Sequence, residues 1–377
     1  MATATLMGTI VGAGILGIPY AVAKVGFGYG FLLIVLLGLA FLMINLFLGE
    51  VVLRTKGLHQ LPGYAEKYLG GWGKGFMAFS MFLGLYGALT AYLIGEGTTL
   101  SVLFNFGEPW WYILLFFAVG GSIVYMGVRA TGKIELTLMA LLYLIVVLIG
   151  VLSFDSLNAA YFKGGDAAKI FLPYGIILFS YAGFTSIPEV RVVLGKDSKK
   201  FKKALVIGST IPIILYVLFT TIVLGIVGLE NFEVLADNER IATIALSIYA
   251  NPLLGWFANA LAVLSMFTSF LTISLALVDM YVYDFTFRRK TGIILAVFPP
   301  LLLALFNLTT FISVLAITGG VGVGLAGILI VLMHRKAIKK GDRQPEFSLR
   351  PHLLWSGLLI LMFVVGMLYH LLLYFWD

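Results

Sequence analysis

Gly12-Ala13-Gly14-Ile15-Leu16-Gly17-Ile18-Pro19 lies inside the first apolar stretch of this chain, and Tyr181-Ala182-Gly183-Phe184-Thr185-Ser186-Ile187-Pro188 lies inside the sixth. Both contain Gly-x-x-x-Ile-Pro, and the two copies stand 169 residues apart. A helix that spans a bilayer uses up its own N–H and C=O groups. Glycine loosens that ladder and permits unusual dihedrals. Proline removes a donor and clashes with the carbonyl four residues back. The two motifs therefore predict helices broken inside the membrane. The N-terminal end of a half-helix holds a carboxylate, and freed carbonyls hold an ammonium or a cation. Those are the groups of an amino acid zwitterion. Close helix packing is the plainer use of such glycines. Matched interruptions at corresponding positions of two halves point instead to a transporter binding site.

The rest of the chain supplies the halves. Of 377 residues, 61% are hydrophobic and only 11% charged, against about 45–50% and about 25% in a soluble domain. Eleven apolar segments run Thr3–Val22, Gly28–Leu53, Gly75–Phe104, Pro109–Val128, Gly132–Leu152, Ile170–Leu194, Ala204–Leu229, Pro252–Phe285, Gly292–Phe306, Thr309–Met333 and Leu353–Phe375. They do not alternate with the period of two that barrel strands need. The prediction is an all-α integral membrane protein forming one transmembrane domain over residues 1–377. It has eleven transmembrane helices: two inverted five-helix repeats, 3–152 and 170–333, with broken first and sixth helices, and one extra helix, 353–375. An odd count per repeat is what inverts one against the other.

Charge sets the orientation. With the N-terminus in the cytoplasm, 21 of the 25 Lys and Arg residues fall in cytoplasmic loops, among them Arg54, Lys67, Arg129, Arg191, the run Lys196–Lys203 and Arg335–Arg343. This obeys the positive-inside rule and puts Asp377 outside. The net charge of +7 thus reads as a bilayer signature, not a nucleic-acid one. The first segment begins almost at Met1 without a basic leader and reads as a retained helix. Trp110, Trp111, Tyr112, Trp355 and Trp376 near segment ends read as interface anchors. Cysteine is absent, which excludes disulfides, thiol catalysis and cysteine-ligated metals. No phosphate-binding Gly-x-x-x-x-Gly-Lys loop occurs. No local pairing of nucleophile and base suggests an enzyme. His59, His334, His352 and His370 stand singly, with loop or interfacial roles as their simplest reading.

Gly8-Thr9-Ile10-Val11-Gly12-Ala13-Gly14-Ile15-Leu16-Gly17-Ile18-Pro19-Tyr20-Ala21 resembles the first-span signature of the amino acid/auxin permease family and of its relatives, the bacterial aromatic amino acid permeases. Ile187-Pro188-Glu189-Val190 resembles the sixth-span Pro-Glu element of that family. Thr268-Ser269-Phe270-Leu271, running into Leu277-Val278-Asp279, is similar to the eighth span of the aromatic permeases. The resemblance covers nearly the whole chain, in order. It implies the LeuT-type fold of the amino acid–polyamine–organocation superfamily, a symporter-type permease and transport of amino acids by alternating access. It places the substrate against Gly12, Ala13, Gly14, Ile15, Leu16 and Gly17 and against Tyr181, Ala182 and Gly183, with Phe184 and Thr185 lining the side-chain pocket. It also implies a candidate sodium site: carbonyls of Gly8, Val11 and Ser265 and hydroxyls of Thr268 and Ser269, an all-oxygen set that suits a hard cation. Two departures weigh against sodium. Ile15 and Gly8 each stand where sodium-coupled relatives carry Asn. The aromatic permeases are associated with protons, so the coupling ion, sodium or proton, stays open; no other cofactor is implied. Both hydroxyls could equally bond back to their own helix.

Ionisable residues inside the segments complete the reading. Glu189 follows the sixth-segment motif about one turn from Thr185 and is a candidate gate or proton-linked carboxylate. Glu50, Asp279 and Asp284 lie toward the cytoplasmic ends and Glu96 toward the outer end, where water or a loop Arg satisfies them. With no acid or base inside either motif, the expected substrate is a neutral amino acid, aromatic or large and aliphatic. The alternative is a sensor that binds an amino acid and signals to a partner. The oligomeric state is left open.

Overall fold

The computed structural model describes residues 2–127, 132–195, 200–349 and 353–376. Arg129, Lys196, Lys199, Arg350 and Asp377, used above for orientation, lie outside the described residues. The chain folds into α1 (Ala2–Ile10), α2 (Gly14–Val25), α3 (Phe27–Arg54), α4 (Leu61–Leu69), α5 (Gly71–Phe104), α6 (Pro109–Met126), α7 (Gly132–Leu152), α8 (Tyr174–Ser180), α9 (Ile187–Leu194), α10 (Phe201–Val227), α11 (Asn231–Val234), α12 (Ala242–Tyr249), α13 (Pro252–Asp279), α14 (Arg289–Leu305), α15 (Phe311–Ile317), α16 (Gly324–Lys340) and α17 (Leu353–Trp376). Among the described residues there is no strand.

Among the described residues eight helical stretches are long and apolar enough to cross a membrane, and the bent pair α1/α2 makes a ninth. That is fewer than the eleven expected. α14 covers the ninth segment but has only 17 residues, and its first turn carries Arg289 and Lys290. The fifth segment forms α7, 21 residues from Gly132 to Leu152.

Both predicted breaks are present. The chain leaves α1 at Val11, re-enters a helix at Gly14, and turns by 48° between the two axes. In the sixth segment α8 stops at Ser180; a short 3-10 turn, Phe184–Ser186, leads into α9. The prolines act differently in the two. Pro188 sits in the first turn of α9, where a missing N–H costs nothing. Pro19 lies inside α2, past the break. The first break is therefore made by Val11–Ala13, not at the proline.

The broken helices occupy the middle of the bundle. α1 packs on α7, α9 and α10, while α2 and α8 pack on each other. α5 and α13 form the neighbouring wall. One irregularity was not legible in the apolar pattern: between α15 and α16 the tenth segment widens into a π turn, Thr318–Val323. It lies backbone to backbone on α8, where a Cβ on Gly319 would sit 1.8 Å from the Gly175 carbonyl oxygen. Only glycine permits that approach.

Charged residues segregate to two ends. At one, Arg191 donates to the Val52 carbonyl at 2.6 Å and Lys67 pairs with Asp342. At the other, Lys24 meets Glu233 at 3.7 Å and Arg240 pairs with Asp237. We refer to these as the basic and the acidic end. Between them, α6 and α17 turn large apolar side chains outward, including Leu115, Val119, Leu361 and Leu368, as lipid-facing helices do.

Candidate functional site

The two breaks touch. A Cβ on Gly14 would lie 2.6 Å from Ser180 Cα, and one on Gly183 would lie 2.2 Å from Ile10 Cγ1. Each break thus fits its glycine against the end of the opposite half-helix. The plain packing role of these glycines is realised: Gly14 lies against the backbone of Ser180 and Gly183 against the side chain of Ile10.

Tyr216 ties the breaks together. It is fully buried on α10. Its hydroxyl lies 2.9 Å from the Ile10 carbonyl oxygen, the end of α1, and 2.7 Å from the Ser180 carbonyl oxygen, the end of α8. One hydroxyl proton serves both acceptors. Sequence reading missed Tyr216, since a tyrosine in an apolar segment looks the same whether it packs or bridges. Tyr216→Phe keeps the ring and removes the bridge. We expect it to lower stability by about 1–3 kcal/mol, the cost of buried carbonyls losing their donor, and to slow transport. A melting curve in detergent together with initial uptake rates would check this; unchanged values in both would reduce Tyr216 to packing.

Beside the breaks lies a cavity of about 590 Å³ of empty space, counting its open mouth. Gly12, Gly14, Ala182, Phe184 and Thr185 line it. Of the other expected contact residues, Ala13, Ile15, Leu16, Gly17, Tyr181 and Gly183 are not in its lining. Gly17 faces Leu315 and Ile176, and the Tyr181 hydroxyl donates to the Ile34 carbonyl at 3.0 Å. The opposite wall comes from α5, with Ser80, Met81, Leu85 and Tyr92, and from the π turn with Gly322 and Val323. No Asp, Glu, Lys, Arg or His lines the cavity. Its α5 wall starts at Ser80, so it extends from the breaks toward the basic end. Ser80 and Tyr92 are the polar side chains of the α5 part of this wall, and the Ser80 hydroxyl donates to the Gly322 carbonyl at 2.7 Å; Tyr92 faces the first break. Its hydroxyl hydrogen-bonds Ser269, and both sit against Gly12, at 2.9 and 3.2 Å from where a Cβ would be. Tyr86, one and a half turns earlier, instead bonds Tyr281 and the Leu295 carbonyl.

Of the five residues of the candidate sodium site, Gly8 lies on α1, Val11 just past its end, and Ser265, Thr268 and Ser269 on α13, which packs on α1. The Thr268 hydroxyl turns back to its own helix, 3.1 Å from both the Leu264 and Ser265 carbonyls. Ser269 is engaged by Tyr92. Open space adjoins Gly8, and Val11 is buried. Glu189 is exposed on α9 and lines a separate cleft at the basic end with His59, Gln60 and Tyr283. That cleft does not contain Thr185. Among the described residues no group of three or more His, Asp or Glu could hold a metal.

Glu50 is satisfied by Arg54, as expected, and by a buried network besides. It receives His334 Nε2 at 2.9 Å and Arg54 Nε, Ser348 Oγ and the Leu349 N–H at 2.8 Å each. Glu96 is fully buried, and neither carboxyl oxygen has a hydrogen-bond partner among the described residues. His334 and His370 are buried as well. His334 stacks on Phe47 at 4.3 Å, and His370 accepts the Gly175 N–H at the start of α8 at 3.0 Å.

Comparison with known proteins accords with this architecture. The profile of the tryptophan/tyrosine permease family matches residues 1–371. Tyrosine-specific transport system 1 of Haemophilus influenzae is 27% identical, covering 97% of this chain and 94% of that protein. The tryptophan-specific transport protein of Pseudomonas aeruginosa is also 27% identical, over 96% and 91% of the two chains. Glutamine transporter 2 of Aliivibrio fischeri is 24% identical over 87% and 84%. Among solved structures, MhsT in complex with L-phenylalanine superposes with a TM-score of 0.71 over 99% of this chain and 97% of that one, at 18% identity. That likeness concerns the fold, which is of the LeuT type. The matching family is not the amino acid/auxin permease family that the first-span signature suggested, but the aromatic branch named beside it. The chain belongs to the tryptophan/tyrosine permease family: it is a multi-pass membrane permease and not an enzyme.

Proposed function

We propose that the protein is a secondary active transporter of neutral amino acids with large, chiefly aromatic side chains, working by alternating access. The observation that carries this is the meeting of two helix breaks at one cavity without charged side chains. The first turn of α2, at Gly14, has N–H groups without intrahelical acceptors and is oriented to attract a carboxylate. The C-terminal carbonyls of α1 and α8 attract the ammonium group. The apolar wall of Met81, Leu85, Phe184 and Val323 then faces the substrate side chain. A Cβ on Gly84, also in this wall, would meet nothing within 4 Å, so the wall leaves room there for a ring. The tyrosine and tryptophan transporters among the relatives support the substrate class.

In this reading residues 3–152 and 170–333 are inverted five-helix repeats and 353–375 an eleventh helix. The N-terminus and the basic end face the cytoplasm, and the C-terminus lies outside. Transport is coupled to a sodium or a proton gradient.

The test is counterflow in proteoliposomes with radiolabelled tyrosine, tryptophan, leucine, glutamine and lysine, repeated under separate sodium and pH gradients. We expect exchange of the aromatic amino acids above the others. Binding without counterflow would favour the sensor alternative, and preferred exchange of lysine would overturn the substrate class.

A further inference from the structure

Glu96 stands on α5, whose outer half faces α13. Two contacts set the antiparallel register of that pair. Tyr92 meets Ser269, and a Cβ on Gly95 would lie 2.6 Å from Met266 Sδ. Glu96 therefore falls level with Ser265, one turn from Tyr92 toward the acidic end. Ser265 Oγ also has no hydrogen-bond partner among the described residues, nor has Thr99 Oγ1 further along α5. The central cavity does not reach Glu96.

An ionised carboxylate held in this way is far too costly, whereas a neutral carboxyl costs only its unmade hydrogen bonds. A metal cation is a poor alternative. A divalent cation would need about six oxygen ligands, several of them carboxylates, and among the described residues no cluster of acids surrounds Glu96. A proton needs one carboxyl and no cage.

The surroundings leave this group to titrate alone. α13 has no ionisable residue between Pro252 and Val278, and α15 has none. α12 brings only Tyr249, exposed at its end, and α6 only Tyr112 and Tyr125, near its ends. The titratable groups of α4, α14 and α16 belong to the basic-end half of the bundle: Tyr64, Glu66, Lys67 and Tyr68, Arg289 and Lys290, and His334 and Arg335 with the lysines beyond them. The π turn Thr318–Val323 carries none. Glu108 and Asp237 line a cleft at the acidic end that reaches Ile94 and Thr98, on the face of α5 opposite Glu96. Tyr92 is the nearest titratable group along the helix, and it is tied to Ser269 against Gly12 of the first break. A rearrangement of that break thus acts on the wall that seals Glu96.

We propose that Glu96 is the proton-binding group through which transport is coupled to a proton gradient. This rests on the transporter reading above. When the bundle opens at the acidic end, the carboxylate takes up one proton from water. It stays neutral while sealed, as here. It returns that proton to water on the other side when the seal breaks toward the basic end.

The test uses the full-length protein in proteoliposomes with radiolabelled tyrosine as the probe. Wild type should concentrate tyrosine under an acid-outside gradient. Glu96→Gln, which mimics the protonated form, should lose that accumulation by about tenfold or more while keeping gradient-free counterflow within about threefold. Its counterflow should no longer vary between mildly acidic and mildly alkaline pH. Glu96→Asp, still titratable, should keep gradient-driven uptake. Accumulation by Glu96→Gln equal to wild type would overturn the proposal. So would loss of counterflow in both variants, which would assign Glu96 to packing. Wild type that exchanges tyrosine but concentrates it only with sodium would overturn the proposal and leave the transporter reading standing. Wild type that exchanges no amino acid would remove the transporter reading itself.

Discussion

Gly14→Leu and Gly183→Leu should each abolish uptake while the protein still reaches the membrane. Added apolar bulk favours insertion. The defect lies in where that bulk goes. At Gly14 the first added carbon would stand 2.4 Å from Ser180 Oγ and 2.6 Å from Ser180 Cα, and at Gly183 it would stand 2.2 Å from Ile10 Cγ1. Ser180 Cα is backbone and cannot rotate aside, so the two half-helices must separate. Overpacking alone costs about 1–3 kcal/mol, and the displaced breaks also lose their alignment on the ligand, so uptake should fall by about 100-fold or more. Gly121→Leu is the control, because a Cβ there meets no atom within 4 Å. Initial uptake, normalised to protein in the membrane fraction, is the readout. Near-normal rates in both break variants would remove the breaks from the mechanism.

Glu50→Ala should destabilise the protein by about 3–5 kcal/mol, the usual result of removing one partner from a buried charged network. Four donors converge on this carboxylate from α3, from His334 on α16 and from the Ser348–Leu349 segment that precedes α17. Arg54 keeps some contact with water, with its side chain 15% exposed, but His334 does not. Without the carboxylate, the segment leading to α17 loses its anchor on α3. Glu50→Gln, which still accepts hydrogen bonds, should lose less. Thermal unfolding of the purified protein in detergent decides the matter; a midpoint unchanged in Glu50→Ala would show that the network does not hold the segment.

What was legible in the sequence is what depends on local chemistry. Gly12–Pro19 and Tyr181–Pro188 marked the two breaks because glycine and proline alter the backbone wherever they stand. The Lys and Arg distribution separated the two ends of the bundle, now seen in the pairings of Lys67 with Asp342 and of Arg240 with Asp237. What stayed hidden depends on register between distant helices. Tyr216 bridges Ile10 and Ser180 across separations of 206 and 36 residues, which no local pattern records. Glu96 looked like an acid near a watery helix end. Its burial comes from α5 running 34 residues, on to Phe104, with α13 packed alongside. The π turn at Thr318–Val323 appeared as ordinary apolar sequence, since its glycines serve the backbone of α8 and not their own helix.

The proposed site recognises both charged groups of an amino acid through the backbone of its two breaks. Equilibrium binding of radiolabelled tyrosine to the purified protein, competed by tyrosine, tyramine and N-acetyltyrosine, tests it most directly. Tyramine lacks the carboxylate and N-acetyltyrosine the ammonium, while both keep the ring. Losing one charge-assisted set of hydrogen bonds costs about 1.5–3 kcal/mol, so each analogue should compete about 10- to 100-fold more weakly than tyrosine. Competition by tyramine or N-acetyltyrosine at the concentration that suffices for tyrosine would contradict the account.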